Sequence, residues 1–364
     1  MTLQEITTLR LQNQQILTNH SENIASLVKK MGALQAQDYA MAKWALGVRL
    51  PSVSDESVNE AMVSASIIRT HVLRPTWHFV PANDVVWMTR LSADRIKASM
   101  GTRDRQLELT EDVFTSSNNI LAAALADGKS LNREEIARLL QQKGIRTNEN
   151  RLSHLLMRAE LELIICSGTY RQGKPSFRLL ETCIPEPLEL SKEESLATLA
   201  KRYFSTHGPA TLADFVWWSG LSQSEARQGL EANQRDFESL TIEGKTYWMS
   251  TNFCPDKDVS SQVHLLPAFD EYLISYRDRS AMIAPHHNPK TIYINGVFRP
   301  IVVVNGKVAG LWSRTTKKDA VTVNVSMFDD FSDEIRFLIE KCVKSYGIFL
   351  GKIVDLKIEK QYED

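Results

Sequence analysis

The 364-residue chain holds only four cysteines, Cys166, Cys183, Cys254 and Cys342, and no two stand in CxxC spacing. That argues against a zinc ribbon and against a dithiol redox motif. Cys166 and Cys183 could face each other across a hairpin, or all four could be free thiols, some of them buried. An excess of either charge is lacking too: 43 Lys and Arg against 44 Asp and Glu leave a formal net charge of −1. No global field draws such a molecule onto a polyanion, so a nucleic-acid role must rest on local basic patches. No apolar run is long enough to span a bilayer, and the opening Met1-Thr2-Leu3-Gln4-Glu5-Ile6 is no basic-then-apolar leader. The expected location is a reducing cytoplasm, away from membranes. Standard catalytic signatures are missing as well: GxSxG, a Walker loop, a dinucleotide fingerprint, HExxH, and the zinc-deaminase HxE with PCxxC. An enzyme of this sequence must work through subtler groups, with no cofactor and no metal expected.

What is present is ordinary globular composition, 43% hydrophobic and 24% charged, in a chain long enough for two or three folding units. Charge is distributed unevenly. Residues 60–177 hold 16 basic against 13 acidic side chains, 263–318 hold 8 against 3, and 186–260 hold 7 against 12. Polyanion-binding patches and a solvated mixed surface are equally good readings of such counts.

Three segments repeat an order of capped helix, turn, second helix and hairpin. In the third, Thr211 with Asp214 caps one helix, Gly220 ends it, and Ser222 with Glu225 caps the next. Two strands, at 237–242 and 245–249, then flank a Glu243-Gly244 turn. In the second, Asn132 with Glu135 caps a helix that stops at Gly144, and another helix runs from Thr147 to about Glu160. Strands at 163–166 and 176–180 enclose the basic tip of Gly168, Arg171 and Lys174, the composition of a wing that touches phosphate. In the first, Ser57 with Glu60 caps a helix carrying Val58, Ala61 and Met62. Strands at 67–71 and 76–80 follow, placing His71, Arg74 and His78 close together, and Pro81 opens a further helix at its first position. A plain helical bundle also has capped helices, but it has no need of the hairpins. Beyond about residue 259 the pattern turns to β: 263–266, 291–294, 299–304, 308–312 and 320–325, with hairpin signals at Asn295-Gly296 and Asn305-Gly306 and a helix over 333–349. The expected fold class is α+β, with three tandem winged-helix units and a C-terminal β-barrel-like domain. The expected limits are 1–125, 126–185, 186–258 and 259–364.

Gly32 ends a helix begun near Ser21, and another starts around Asp38. An extended backbone between them makes Gln35 and Gln37 point the same way, and two convergent amides can hold a water by donating and accepting hydrogen bonds. By spacing alone, a turn with two solvated glutamines is the simpler reading. Three blocks, however, Met31-Gly-Ala-Leu-Gln-Ala-Gln-Asp38, Arg74-Pro-Thr-Trp-His-Phe-Val80 and residues 265–279 (Leu265 to Arg279), together resemble the AlkZ/YcaQ-like family of winged-helix DNA glycosylases. The resemblance runs along nearly the whole chain in matching order. It implies hydrolysis of the N-glycosidic bond of N7- or N3-alkylated purines, and in some members the unhooking of interstrand crosslinks. It places the catalytic Gln-x-Gln element on Gln35 and Gln37 and brings the first hairpin, with His71, Arg74 and His78, toward the lesion. The implied partner is double-stranded DNA carrying alkylated purines, bound by a monomer.

Arg277 and Arg279 could contact phosphate or pair internally with Asp270 or Glu271, and Asp38 reads as a helix cap or an auxiliary base. Trp217 and Trp218 read as core, and Pro285-His286-His287-Asn288-Pro289 as an exposed loop. Two other functions stay open. A non-catalytic winged-helix regulator or DNA-structure sensor would not need the two glutamines, and an interaction scaffold would suit the near-neutral charge.

Overall fold

Side chains that accept hydrogen bonds from helix N-termini set where most helices of this chain begin. The computed structural model describes all residues except 1, 19, 172–173, 185, 256–260, 295 and 361–364, with the side chains of 169–171 and 360 also outside it. The fold is mixed α+β and divides into two units, residues 1–58 with 197–364, and residues 59–196. The helices Asp55–Val63 and Lys192–His207 carry the chain from one to the other. Among the described residues no helix is long and apolar enough to cross a membrane.

In the first unit, the helices Leu3–Asn13, Ile24–Met31 and Tyr39–Arg49 start at Thr2, Asn23 and Asp38, whose side chains each accept a backbone N–H. Asp38 is thus a cap. The Leu212–Ser219 helix carries the full Thr211/Asp214 capping box and ends at Gly220, φ +69°. The Gln223–Glu231 helix carries the Ser222/Glu225 box. The hairpin that follows turns on Glu243 and Gly244, both at positive φ, as a two-residue turn matched to strand twist requires. Tyr203, Phe204, Phe215 and Trp218 are fully enclosed, with ring centroids 5.2 Å apart for Tyr203–Phe204, 5.0 Å for Tyr203–Trp218 and 5.3 Å for Phe204–Phe215. Rings of this size are the largest apolar area a core can bury per residue.

The β-rich end of the unit corrects the barrel expectation. It is an open five-stranded sheet in the order Ile353–Lys360, Ala320–Met327, Lys307–Thr316, Ile301–Val304, Val263–Leu266. Four strands pair antiparallel, and Ile353–Lys360 joins parallel to Ala320–Met327. A parallel neighbour needs a crossover, which the helix Asp333–Leu350 supplies. That helix covers a face of the sheet, so closure is not needed to hide it. The expected strand at 291–294 is absent. Asn288–Thr291 is a helical turn with Pro289 in its first turn, and Ile292 makes only a single bridge to Phe298. The His-His segment is likewise not a plain loop: His287 is buried with its ring 4.3 Å from that of Phe328. Asn305-Gly306 forms its hairpin as expected; Asn295 lies outside the described residues.

After the end of the Asp55–Val63 helix, the second unit holds the hairpin Ile67–His71/Trp77–Pro81 and the helices Val85–Gln106, Glu111–Ala124, Arg133–Gln142 and Arg151–Leu161. Its three-stranded sheet runs Leu131–Asn132, Lys174–Leu179, Ile165–Arg171. Three expectations shift. The helix expected to start at Ser57 starts at Asp55, because Ser54 and Ser57 exchange backbone-to-hydroxyl bonds in a reciprocal cap. Pro81 precedes a 3-10 turn, Ala82–Asp84, rather than occupying the first helical position. The helix expected from Thr147 starts at Arg151, since Glu149 and Asn150 both sit at positive φ, where no α-helix can run.

Candidate active site

The glutamine segment lies in the first unit between two helices. Gly32 ends the Ile24–Met31 helix at φ +81°. A Cβ there would be strained by the positive φ, and at 3.3 Å from the Trp218 Cη2 it would require that ring to give by a few tenths of an ångström. Leu34–Gln35 is extended, and the Asp38-capped helix begins two residues after Gln37. Burial separates the two amides: Gln35 is 5% exposed, whereas Gln37 is open to solvent.

Behind Gln35 is a polar network that the sequence did not disclose. Glu271 is 2% exposed, and its Oε1 accepts the Gln35 backbone N–H at 2.7 Å. Its Oε2 accepts the Trp218 indole N–H at 3.0 Å and the Ser275 hydroxyl. His207 Nε2 lies 3.7 Å from the same oxygen, beyond hydrogen-bond reach. Burial works to raise the Glu271 pKa, but the His207 ring, the Ser275 hydroxyl and the Gln35 N–H outweigh it and hold it down at about 2. Burial is the largest influence on His207 and lowers its pKa, against the opposing pull of Glu271. Asp270, one residue earlier, takes two 2.9 Å bonds from Arg49, whose other donors go to Gln14 and Ala45. Neither carboxylate pairs with Arg277 or Arg279, which corrects one of the two roles open for those arginines.

Arg277 is exposed, and its backbone N–H donates to Asp214 Oδ1 at 2.8 Å. Arg279 is half-buried, donating Nε–H to the Leu273 carbonyl and lying over the Trp217 and Phe298 rings. Trp218 is core as expected. Trp217 is not: 41% of it is exposed. Beside the Gly32 turn, a groove of about 730 Å³ is lined by His20, Lys29, Lys30, Lys201 and Arg202. Charge counting missed it, because Lys201 and Arg202 belong to the acidic stretch of sequence and meet Lys29 and Lys30 only in the fold.

In the second unit, His71 and His78 stand on one hairpin but not on one face. Directly opposed residues share a face, and here His71 opposes Trp77 while Thr70 opposes His78. The expectation that they converge is therefore corrected. His71 is buried, bonds through Nδ1 to Glu160 and lies against the Trp77 ring. His78 is fully buried, with Nδ1 2.9 Å from the Thr76 carbonyl. Arg74 is half-buried in the turn between the strands. Lys174 is exposed and paired with Glu134 at 2.5 Å; the Arg171 side chain lies outside the described residues. Cys166 and Cys183 are free, their sulfurs 3.7 Å apart. Among the described residues no cluster of three or more His, Cys, Asp or Glu is arranged to hold a metal ion.

Comparison with known proteins agrees with this architecture. An interstrand DNA cross-link repair glycosylase of Streptomyces sahachiroi is 26% identical over 340 residues, covering 86% of this chain and 88% of that protein. The solved DNA glycosylase AlkZ of the same organism superposes with a TM-score of 0.80 at 21% identity, over 99% of this chain and all of the other. The model of the AlkZ-like DNA glycosylase family matches residues 28–349. The chain belongs to the AlkZ-like family of DNA glycosylases.

Proposed function

We propose that this glycosylase hydrolyses the N-glycosidic bond of cationic N7- or N3-alkylpurines in double-stranded DNA, using a water held by Gln35 and Gln37. The observation that carries this is the segment between Gly32 and Asp38. It presents an exposed amide, Gln37, two residues from an amide whose main chain is tied into the core at Gln35. An N7-alkylpurine already bears a positive charge, so it departs readily and needs little acid catalysis. The C1′–N9 bond breaks with its electron pair going to the purine, which leaves neutral. The water oxygen bonds to C1′, and its proton passes to solvent. What remains for the protein is placing the water and steadying an oxocarbenium-like sugar, work that neutral oriented dipoles can do. An unmodified purine is a far worse leaving group and stays intact.

The cross-link repair named for the Streptomyces relative extends to this chain as part of the same proposal, since an unhooking step breaks the same bond. We assign the three helix-and-hairpin segments to winged-helix units within 1–125, 126–185 and 186–258, with 259–364 as the β-rich domain. Of the expected DNA contacts, Arg277 is exposed and fits phosphate directly, while Lys174, exposed but paired with Glu134, would exchange that carboxylate for phosphate. Arg279, Arg74, His71 and His78 are held in or near the protein interior and would support the DNA-facing surface, and Arg171 completes the set. The basic groove at Lys29, Lys30, Lys201 and Arg202 adds a phosphate track next to the glutamine segment. The enzyme works as a cytoplasmic monomer, without a covalent DNA intermediate.

The test is release of 7-methylguanine from methylated duplex. Gln37→Ala should lose 100-fold or more of the single-turnover rate, on the order seen when an oriented dipole is removed, and keep its duplex affinity. Undiminished release, or borohydride trapping of an enzyme–DNA adduct in the wild type, would overturn the scheme.

A further inference from the structure

The chemistry just described needs no charge inside the protein, yet Glu271 is ionised at 2% exposure. Burying a carboxylate costs several kcal/mol unless partners offset it. The Arg49 guanidinium is committed to Asp270. Glu271 is satisfied instead by neutral donors, and they are divided between its oxygens. Oε1 takes the Gln35 main-chain N–H, while Oε2 takes the Trp218 indole and the Ser275 hydroxyl, which fixes the plane of the carboxylate. The same Trp218 closes on the Gly32 turn, where a Cβ would meet its ring at 3.3 Å. One indole–carboxylate pair therefore borders the start of the segment, the indole filling the space beside Gly32 and the carboxylate taking a charge-assisted hydrogen bond from Gln35.

We propose that Glu271 is a positioning residue for base excision, fixing the main chain at Gln35 so that the amides of Gln35 and Gln37 meet the attacking water in register. The inference rests on the assignment of those two glutamines. Its physical basis is that a displacement of about 1 Å at a reacting group lowers the rate about 100-fold. Glu271 touches neither water nor sugar and acts only through Gln35. Replacing it with Gln turns one oxygen into a donor facing the Trp218 N–H and the Ser275 hydroxyl, so the side chain can no longer serve both halves of the network.

The experiment measures single-turnover release of 7-methylguanine and duplex affinity for the wild type, Glu271→Gln, Gln35→Ala and the double variant, with excess enzyme and long time courses to follow residual rates. A positioning role predicts a rate 10- to 100-fold lower in Glu271→Gln at unchanged affinity, and no further loss when the change is made in Gln35→Ala. Equal losses in both backgrounds, or rate and affinity falling together, would mean a purely structural carboxylate and would overturn the proposal. Wild-type activity in Gln35→Ala would instead sink the glutamine assignment itself, so the two failures are distinguishable. Trp218→Phe guards against misfolding of the charge variant. It keeps the aromatic core and removes one anchor of Oε2, and should speed amide exchange at Gln35 at least 10-fold while lowering the rate; unchanged exchange there would also overturn the role.

Discussion

Asp270 and Glu271 are adjacent, and both are carboxylates buried in one network, yet the fold gives them different partners. Asp270 meets a guanidinium and Glu271 meets neutral N–H and O–H groups. Nothing in their types or spacing could assign these partners, because Trp218, Arg49 and Gln35 lie 53, 221 and 236 positions earlier in the chain than the carboxylates they meet. Single exposed cations are simpler. Each Lys or Arg that neutralises one phosphate releases condensed counterions, lowering the slope of log K against log salt by about 0.9. Lys29→Ala and Lys174→Ala should each reduce the slope for duplex binding by about that much without changing which base is excised. A slope equal to that of the wild type would remove the residue from the DNA interface.

At the scale of elements, the chain reads well wherever one residue's chemistry decides the geometry. The boxes at Thr211/Asp214, Ser222/Glu225 and Asn132/Glu135 cap where expected, because N-cap hydrogen bonding is local. Gly32 is the most consequential of the local signals. With φ at +81° and Trp218 at 3.3 Å from any added Cβ, Gly32→Ala should destabilise the first unit by about 1–3 kcal/mol. Thermal melting checks this, and base release should fall further than the melting shift explains, since the strained turn leads directly into Gln35. The misjudged elements fail for equally physical reasons. His71 and His78 look clustered along the chain, but a strand period of two sends them to opposite faces. The final strand, Ile353–Lys360, is not legible in the sequence, because its pairing is parallel and reaches back across a helix, which no turn signal announces.

At the scale of the molecule, stability should respond to acid in two stages. Burial and the Arg49 charge hold the His264 pKa down at about 4, and burial lowers His207. The unfolded chain takes up these protons first, so stability falls as pH drops from about 6.5 toward 4. Glu271 is held at about 2 against burial by its hydrogen-bonding neighbours. Asp278 is also held at about 2, where Lys245 and Ser280 outweigh its partial burial. A depressed carboxylate contributes stability that is complete above its unfolded pKa and lost as pH falls through the folded one, here between about 4.5 and 2. For Glu271 that is on the order of 3 kcal/mol. Urea unfolding from pH 7 to 2 should show both stages, and Glu271→Gln should flatten the lower one. A flat profile below pH 4.5 in the wild type would contradict the ionised state of that carboxylate.

By itself, the sequence determined the α+β class, most helix starts, the tight hairpin turns and the position of the glutamine pair, since each depends on neighbours a few residues apart. Only the tertiary structure decided that the sheet stays open, that a basic groove draws half its cations from a stretch whose average charge is acidic, and that Gln35 is tied to Glu271. Those features depend on contacts whose partners are distant in the chain. Which partners meet is settled by how the whole core buries its apolar surface, and no local pattern encodes it.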